Sequence, residues 1–193
     1  MTRALILIDL QVGLCDPSGT ASAGLAERVA SGQVLERAAE LLAHFRATKE
    51  PIVHVRLGFA ENFSNRTNRT PRFDSHEAAG RFLESSRDCE FCAPVAPAPG
   101  ETTLTKGSVG AFASTPLLAV LRAGNIDELV LAGVATHLAI ESTAREAADR
   151  SFAVTVAADA TTGPDPLHTN SLDNVLPGFA HVTTVADIIA EAR

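Results

Sequence analysis

The sequence predicts an α/β protein with three layers, in which helices cover both faces of a mostly parallel central sheet. Short apolar runs alternate with segments of helical periodicity from one end of the chain to the other. The runs at 4–8 and 129–134 contain no charged or polar side chain, which is typical of strands buried on both faces. Alternating strands and helices without an internal repeat form parallel sheets with helices on either side. The 193 residues, 46% of them hydrophobic, are expected to fold as one domain over 1–193.

Each segment of the first half has its own signal. The first strand is an apolar run with Asp9 near its carboxyl end, and the Gly, Pro and Ser residues that follow predict a loop. Apolar residues then recur at helical spacing, and Pro51 opens a second strand. A third, short strand ends at Lys106. The expected segments are a strand at 4–10, a loop at 11–23, a helix at 33–48, a strand at 51–57 and a strand at 101–106.

The second half continues the alternation. A flexible turn at 107–112 precedes a helix that Gly124 closes. The next apolar run leads through Gly133 into a helix, and the run after that ends in the acid Asp159. The expected segments are a helix at 115–123, a strand at 129–134, a helix reaching about 151, a strand at 152–160, a helix at 167–176, a strand at 181–185 and a helix at 186–192.

The least regular stretch is the connection at about 58–99. A connection of this length within one domain is usually a lid, a binding loop or a contact with a partner. It contains five arginines, of which Arg66, Arg69 and Arg72 are weaker candidates for binding a substrate carboxylate. A substrate or interface loop and a solvated excursion are equally compatible with this composition.

Charge and cysteine content exclude several classes of function. The net charge of −7 argues against a nucleic-acid or anionic-membrane surface. No apolar run has the length of a membrane span, and the amino terminus is too short for a signal peptide, so a cytoplasmic location is expected. Three cysteines do not make a disulfide framework, and we interpret the Cys89–Cys92 pair as reduced thiols in a connection.

Polar residues at strand ends predict where a site lies. In an open parallel sheet, ligands bind outside the carboxyl ends of the strands. An aspartate and a lysine that meet there perturb each other, and such a pair can be poised to move protons. For any one of these residues alone, a strand-end side chain that is satisfied by loop amides is the favoured interpretation. The candidates are Asp9, Arg56, Lys106, His137 and Asp159.

Three motifs, taken together, resemble those of one family. In order, they are Ile8-Asp9-Leu10-Gln11, Thr105-Lys106 followed by Ala111-Phe112-Ala113-Ser114-Thr115, and Gly133-Val134-Ala135-Thr136 leading into Ser142-Thr143-Ala144-Arg145. The combination resembles the isochorismatase-like hydrolase superfamily, which includes isochorismatase, nicotinamidase, N-carbamoylsarcosine amidohydrolase and ureidoacrylate amidohydrolase. The similarity covers nearly the whole chain.

The resemblance implies a Rossmann-like α/β/α hydrolase without a cofactor, acting on a small molecule and assembling as a homodimer or homotetramer. Asp9 matches the family aspartate and Lys106 the family lysine. The amidohydrolases place their nucleophilic cysteine two residues after the position of His137, where this chain has Ala139. The family also tends to have a cis peptide in the turn at 133–135, which directs the backbone N–H groups of Ala135 and Ala139 into the site.

Ala139 leaves three functional interpretations. The first is a cysteine-independent hydrolase, like the isochorismatases, in which Asp9 donates a proton to a vinyl ether or activates water, Lys106 tunes Asp9, and the substrate is anionic. The second is a cysteine amidohydrolase whose nucleophile has been replaced by alanine in an engineered variant. The third is a catalytically silent relative that binds a small molecule or a partner.

The remaining expectations concern substrate and metal. The expected substrate-binding residues are Gln11, Arg56, Phe112, Ala135 and His137, among which Arg56 offers two parallel hydrogen bonds to a carboxylate. Nicotinamidases carry an Asp-x-His motif and another histidine after the second strand. Here the acid is missing, and His54 alternates with apolar neighbours as a sheet histidine does. We therefore expect no catalytic metal.

Overall fold

The computed structural model describes residues 2–21 and 24–191, and its six strands are all parallel. They form one sheet in the order β3-β2-β1-β4-β5-β6. The predicted fold class is therefore confirmed, with a sheet that is parallel throughout rather than mostly so. The strands are β1 (Arg3–Ile8), β2 (Ile52–Leu57), β3 (Thr102–Lys106), β4 (Glu128–Val134), β5 (Ala153–Thr162) and β6 (His181–Thr183).

The helices lie between the strands in sequence. A π-helical turn at Thr136–Ile140 runs directly into α6, and short helical turns occupy Arg87–Cys89, Ala93–Val95, Ser171–Val175 and Leu176–Gly178. No helix among the described residues has the length and apolar character needed to cross a bilayer. The helices are α1 (Val12–Cys15), α2 (Leu25–Ser31), α3 (Val34–Thr48), α4 (Pro71–Ala78), α5 (Leu117–Ala123), α6 (Glu141–Ala148), α7 (Leu167–Asn170) and α8 (Val185–Glu191).

The structure differs from the expected segments in a few places. Helices α1, α2 and α4 were not predicted, because all three are short, and α1 lies within the stretch at 11–23 that was expected to be a loop. The predicted helix at 167–176 is broken into three short turns. After α5 the left-handed residue is Asn125 rather than Gly124. Residues 22 and 23 of the predicted loop and residue 192 of the predicted last helix lie outside the described residues.

Two apolar layers hold the helices against the sheet. Successive side chains of a strand point to opposite faces, and β1 contributes to both layers for this reason. Its residues Ala4, Ile6 and Ile8 pack in the layer beneath α5 and α6, while Leu5 and Leu7 pack beneath α3 and α8. Burial on both faces explains why β1 and β4 are apolar without interruption.

The connection between β2 and β3 packs on an apolar cluster of its own. Its core is formed by Leu57, Phe59, Phe73, Phe82 and Cys89, all of which are buried. The cluster fixes α4 over the carboxyl end of β2. This part of the connection is therefore packed against the domain and is not a solvated excursion.

Strand order sets the position of the site. The chain moves outward from β1 in one direction through β2 and β3, and in the other direction through β4. Such a reversal leaves a crevice outside the carboxyl ends of the two central strands. Residues Ile8 of β1 and Gly133 of β4 are paired there. The segments that follow β1 and β4 therefore flank the crevice.

Candidate active site

A cavity of about 430 Å³ occupies this crevice. Five of the predicted site residues line it, and they come from the ends of three strands and from the turn before α6. These residues are Asp9, Lys106, Ala135, His137 and Ala139. A second concavity of about 480 Å³ lies at the amino ends of β1, β2 and β3 and contains none of the predicted residues.

Asp9 and Lys106 form a buried ion pair at the cavity. The Lys106 ammonium lies 2.8 Å from the Asp9 Oδ2 atom, and both side chains are at most 5% exposed. Lys106 also donates hydrogen bonds to the backbone carbonyls of Ser108 and Val109, at 3.0 and 2.9 Å. The ammonium thus has an acceptor for each of its three protons. Its position is fixed on three sides.

The second carboxylate oxygen of Asp9 is unpaired. The Oδ1 atom is buried and has no hydrogen-bond partner among the described residues. Burial raises the pKa of Asp9 above its ordinary value, and the charge of Lys106 acts against that rise. A carboxyl group with a raised pKa and a free oxygen is suited to exchange a proton with a bound molecule.

Asp9 adopts a backbone conformation that few residue types accept. Its φ of +58° lies in the left-handed region, where Asp and Asn are enriched among non-glycine residues. Its amide donates to the Val55 carbonyl of β2 at 2.8 Å. This conformation turns the chain sharply at the end of β1, where the carboxylate meets Lys106.

The turn after β4 forms another wall of the cavity. The peptide bond between Val134 and Ala135 is cis, as the resemblance implied. Ala139 lies in the π-helical turn that follows and is 3% exposed. Its methyl group stands at the position where the resemblance implies a cysteine, and both alanines border the cavity.

His137 lies on the same wall. Burial lowers the pKa of this imidazole, and the charge of Arg72 lowers it further, so the ring is neutral near pH 7. Its Nδ1 atom is buried without a partner among the described residues. His137 therefore presents a neutral imidazole at the cavity.

Gln11 was expected to bind substrate, and the structure places it elsewhere. Its side chain is fully buried and does not line the cavity. Its Nε2 atom donates to the carbonyls of Leu57 and Asp88, both at 2.9 Å, and its Oε1 atom accepts from the Leu57 amide at 2.7 Å. The Gln11 side-chain amide thus joins the end of β2 to the long connection. The expected contact of Gln11 with substrate is therefore corrected, and its role in this structure is structural.

The prediction that Arg56 binds a substrate carboxylate is likewise corrected. Arg56 directly precedes Leu57, which lines the cavity, and neighbouring side chains of a strand point to opposite faces. The guanidinium instead donates to the Thr105 hydroxyl at 3.1 Å and to the Cys89 carbonyl at 2.8 Å. These bonds join the Arg56 side chain to β3 and to the long connection.

Phe112 and Asp159 also lie outside the cavity. Phe112 packs against Phe152 in the core, with the Arg150 guanidinium 5.1 Å from its ring centroid. Asp159 does not end its strand, because β5 continues to Thr162. Its carboxylate accepts a hydrogen bond from the Val185 amide at the start of α8.

Residues of helices α2 and α4 also line the cavity, and among them only Arg72 was a candidate from the sequence, as a weaker one for binding a substrate carboxylate. Helix α4 contributes Arg72, Phe73 and His76, and α2 contributes Arg28. Pro71 occupies the first helical position of α4, which is a recognised start signal. The four-residue spacing of Arg72 and His76 then places both on one face of the helix.

The three cysteines are all buried, and none lines the cavity. Burial raises the pKa of Cys89 to about 12, and its thiol donates to the carbonyls of Leu57 and Phe82. Cys15 donates to the Asp9 carbonyl at 3.6 Å, and its side chain forms a hydrogen bond with that of Cys92; both are free thiols. The thiols are packing groups here, and none faces the cavity as a nucleophile.

The donor set does not fit a metal. Within residues 2–21 and 24–191, no three His, Cys, Asp or Glu side chains are grouped so that they could hold an ion. His54 is buried in the sheet, and its Nε2 lies 2.8 Å from Glu101. This agrees with its interpretation as a sheet histidine.

Comparisons with known proteins match this architecture. The Isochorismatase domain profile matches residues 3–187. The chain is 30% identical over 189 residues to the isochorismatase family protein YecD of Escherichia coli O157:H7, covering 97% of this chain and 95% of that protein.

The chain belongs to the isochorismatase family. It is 28% identical to the ureidoacrylate amidohydrolase RutB of Methylobacterium radiotolerans, over 96% of this chain and 77% of RutB. A crystal structure of an isochorismatase family protein from Chromobacterium violaceum is 31% identical, with a TM-score of 0.75 over 98% of this chain and 92% of that one. The relatives named for an activity are hydrolases, so the predicted enzyme class, a hydrolase of this family, is confirmed.

Proposed function

We propose that this isochorismatase-family hydrolase cleaves a small anionic substrate by acid–base chemistry of Asp9 and Lys106, without a covalent nucleophile. The observation that carries the proposal is the buried Asp9–Lys106 pair beside the cavity, with the second carboxylate oxygen unpaired within the described residues. The ammonium is satisfied by protein acceptors, so its task is to hold and tune Asp9. The free Oδ1 is the atom that would exchange a proton with substrate or water.

The raised pKa of Asp9 favours the role of proton donor. A carboxylic acid with a pKa above its ordinary value keeps more of its proton as the pH approaches neutrality. Protonation of a vinyl ether, the reaction of the isochorismatases that this chain resembles, gives an oxocarbenium ion that water captures. That route needs no nucleophilic side chain, which suits Ala139.

The turn before α6 would stabilise negative charge. Backbone N–H groups directed at a developing oxyanion contribute strongly where water is excluded. The amides of Ala135 and Ala139 are the proposed donors, because both residues border the cavity beside the Asp9–Lys106 pair.

Charge at the cavity supports an anionic substrate. One carboxylate, that of Asp9, and three cations, Arg28, Arg72 and Lys106, line it. Lys106 is neutralised by Asp9, and Arg28 is paired with Asp165 at 2.9 Å. Arg72 is therefore the cation best placed to attract a free negative group.

Hydrolysis of a C–N bond is the second candidate. It is favoured by the similarity to ureidoacrylate amidohydrolases, which extends over 96% of this chain. A methyl group cannot form the thioester of a cysteine amidohydrolase, and loss of a covalent nucleophile costs orders of magnitude in rate. This candidate therefore requires a cysteine at position 139.

Three proteins separate these candidates: the chain as it is, Asp9→Asn and Ala139→Cys, with Ala139→Gly as the control for a size change without a thiol. Each is assayed with isochorismate, ureidoacrylate, N-carbamoylsarcosine and nicotinamide. Turnover of isochorismate that Asp9→Asn reduces at least 100-fold would support the proposal. Amide turnover confined to Ala139→Cys would support the second candidate, and no turnover by any protein would favour a binding role.

The direction of the pH dependence tests which form of Asp9 acts. If Asp9 donates a proton, kcat falls as the pH rises through its raised pKa, because the protonated form is lost. If it acts as a base, kcat rises over the same range. We expect the fall, measured by initial rates between pH 4 and 9, and a rise would refute the assignment as donor.

Two expectations from the sequence remain predictions. Assembly as a homodimer or homotetramer is tested by light scattering of the purified protein. A cytoplasmic location is tested by fractionation of the cells that produce it.

A further inference from the structure

We propose that α4 is the recognition element for the acid group of the substrate, with Arg72 and His76 together binding one carboxylate. The inference rests on the proposed function, which places proton transfer at Asp9. It adds that the substrate is a small carboxylic acid whose carboxylate lies at α4, apart from the bond that is cleaved. His76 then determines specificity without taking part in the chemistry.

Arg72 is available for such a contact. It borders the cavity, is exposed, and makes no side-chain hydrogen bond or ion pair within the described part of the chain. The two acids on its own helix are engaged elsewhere, because Arg66 pairs with Asp74 at 2.5 Å and with Glu77 at 2.7 Å. The charge of Arg72 is therefore not cancelled locally.

His76 is unusual because it is buried and unpaired. It is 8% exposed, and its Nδ1 atom is buried without a hydrogen-bond partner. Its ring lies edge-to-face against Phe73 and Phe82, with centroid distances of 5.8 and 5.0 Å. Among residues 2–21 and 24–191, no side chain or backbone group bonds to the Nε2 atom either. The enclosed nitrogen is Nδ1, so Nε2 is the ring nitrogen that can reach a ligand in the cavity that His76 lines.

The proton of this ring belongs on Nε2. Burial, together with the charges of Arg72 and Arg81, lowers the pKa of His76 to about 4, so the imidazole is neutral near pH 7. A neutral ring has one N–H donor. Buried N–H groups without a partner are rarer than unpaired acceptors, which disfavours the proton on Nδ1. His76 thus offers an N–H at Nε2, which a carboxylate oxygen in the cavity can accept.

The spacing of the two side chains suits the two oxygens of a carboxylate. Residues four apart on a helix are neighbours on one face, with Cβ atoms about 5–6 Å apart. Both side chains line the same cavity as Asp9. One oxygen would accept from Arg72 and the other from His76. The cavity wall also contains apolar side chains, including Leu57 and Phe73, which suits a short hydrocarbon or unsaturated link.

The proposal is tested by binding, independently of turnover. Nicotinate and nicotinamide have nearly the same shape and differ in carrying a carboxylate or an amide. Calorimetry should show that the protein binds nicotinate at least tenfold more tightly, because charged hydrogen bonds contribute more than neutral ones. Arg72→Gln and His76→Phe should each remove most of that preference. Equal affinities, or no binding of nicotinate at millimolar concentration, would overturn the proposal.

The controls address packing and charge. Phenylalanine at position 76 keeps an aromatic ring between Phe73 and Phe82, and thermal unfolding of the variant checks that the fold is retained. Arg69→Gln removes an exposed arginine of the same connection outside the cavity, and it should leave the preference unchanged. A loss of preference in Arg69→Gln as large as that in Arg72→Gln would contradict a specific site.

A second measurement does not depend on a buried substitution. In protein labelled with ¹⁵N at histidine, nicotinate should shift the Nε2 resonance of His76, and nicotinamide should not. An unchanged resonance at saturation overturns the role of His76. If Asp9→Asn left turnover unchanged, the proposed function would be refuted instead. The preference for nicotinate over nicotinamide would still test the carboxylate site, because it is measured by binding.

Discussion

Replacing Lys106 by methionine removes the partner of a buried carboxylate while keeping a side chain of similar length. In the wild type, the ammonium lies 2.8 Å from Asp9 Oδ2, with both groups almost fully buried. Without it, Asp9 must be either charged and unpaired or protonated. Because a buried unpaired charge is very unfavourable, protonation is the easier response.

The magnitude follows from the cost of that proton. An unfolded aspartate has a pKa near 3.9. For each pH unit above that value, keeping folded Asp9 protonated costs about 1.4 kcal/mol. The free energy of unfolding should therefore fall by up to about 4 kcal/mol at pH 7 and by about 1.5 kcal/mol at pH 5. The unpaired carbonyls of Ser108 and Val109 add a part that does not depend on pH, about 1–3 kcal/mol.

The sign is set by proton binding. In Lys106→Met, folded Asp9 holds a proton that the unfolded chain has released above about pH 4, so stability falls as the pH rises. In the wild type, burial also raises the pKa of Asp9, but Lys106 acts against that rise and weakens the dependence. The slope of stability against pH is therefore the quantity that distinguishes the two proteins.

Far-ultraviolet circular dichroism during urea unfolding is the suitable assay, because the chain has no Trp or Tyr for fluorescence. The control is Asp9→Asn combined with Lys106→Met, in which no charge is left unpaired and the extra pH dependence should disappear. The reasoning would be refuted if Lys106→Met were as stable as the wild type at pH 7. It would also be refuted if the variant lost the same free energy of unfolding at pH 5 as at pH 7.

Two further predictions concern the residues that build the site. Gln11→Leu leaves the Asp88 carbonyl and the Leu57 amide without their Gln11 partners, and the Leu57 carbonyl keeps only the weak Cys89 thiol as a donor. Stability should therefore fall by about 3 kcal/mol, and hydrogen exchange at the Leu57 amide should become faster. An exchange rate as slow as in wild type would contradict the bridging role. Gly133→Ala should prevent folding or lower the free energy of unfolding by well over 3 kcal/mol, because φ is +133° and a Cβ would overlap the Ile8 carbonyl oxygen. Thermal unfolding is the measurement. Gly80→Ala, also at positive φ but with open space around it, is the matched control and should cost only about 1–2 kcal/mol.

Much of the candidate site could be predicted because its parts are local. Asp9 follows the apolar strand β1 and Lys106 ends β3, and all parallel strands place their carboxyl ends at one edge of the sheet. Gly133 marks the close approach of β4 to β1, and the turn after it leads into a helix. Knowledge of strand order was not needed to expect these residues near one another.

The residues that were misplaced depend on side-chain direction. Arg56 and Leu57 are adjacent in β2, yet only Leu57 faces the cavity, and the pleat that decides between them changes with a shift of one residue. Gln11 is two residues from Asp9, but the long connection returns across the end of β2 and takes up its amide. A sequence pattern contains no signal for such a return.

By itself, the sequence determined the alternation of strands and helices, the parallel sheet and the strand-end acid and base, because each follows from local periodicity and the geometry of parallel strands. Only the tertiary structure decided that α4 covers the cavity, with Arg72 unpaired and His76 buried beside it. The position of α4 is set by Phe59, Phe73 and Phe82, which meet from distant points of the connection. Contacts between distant residues are formed by packing and leave no periodic trace in the chain.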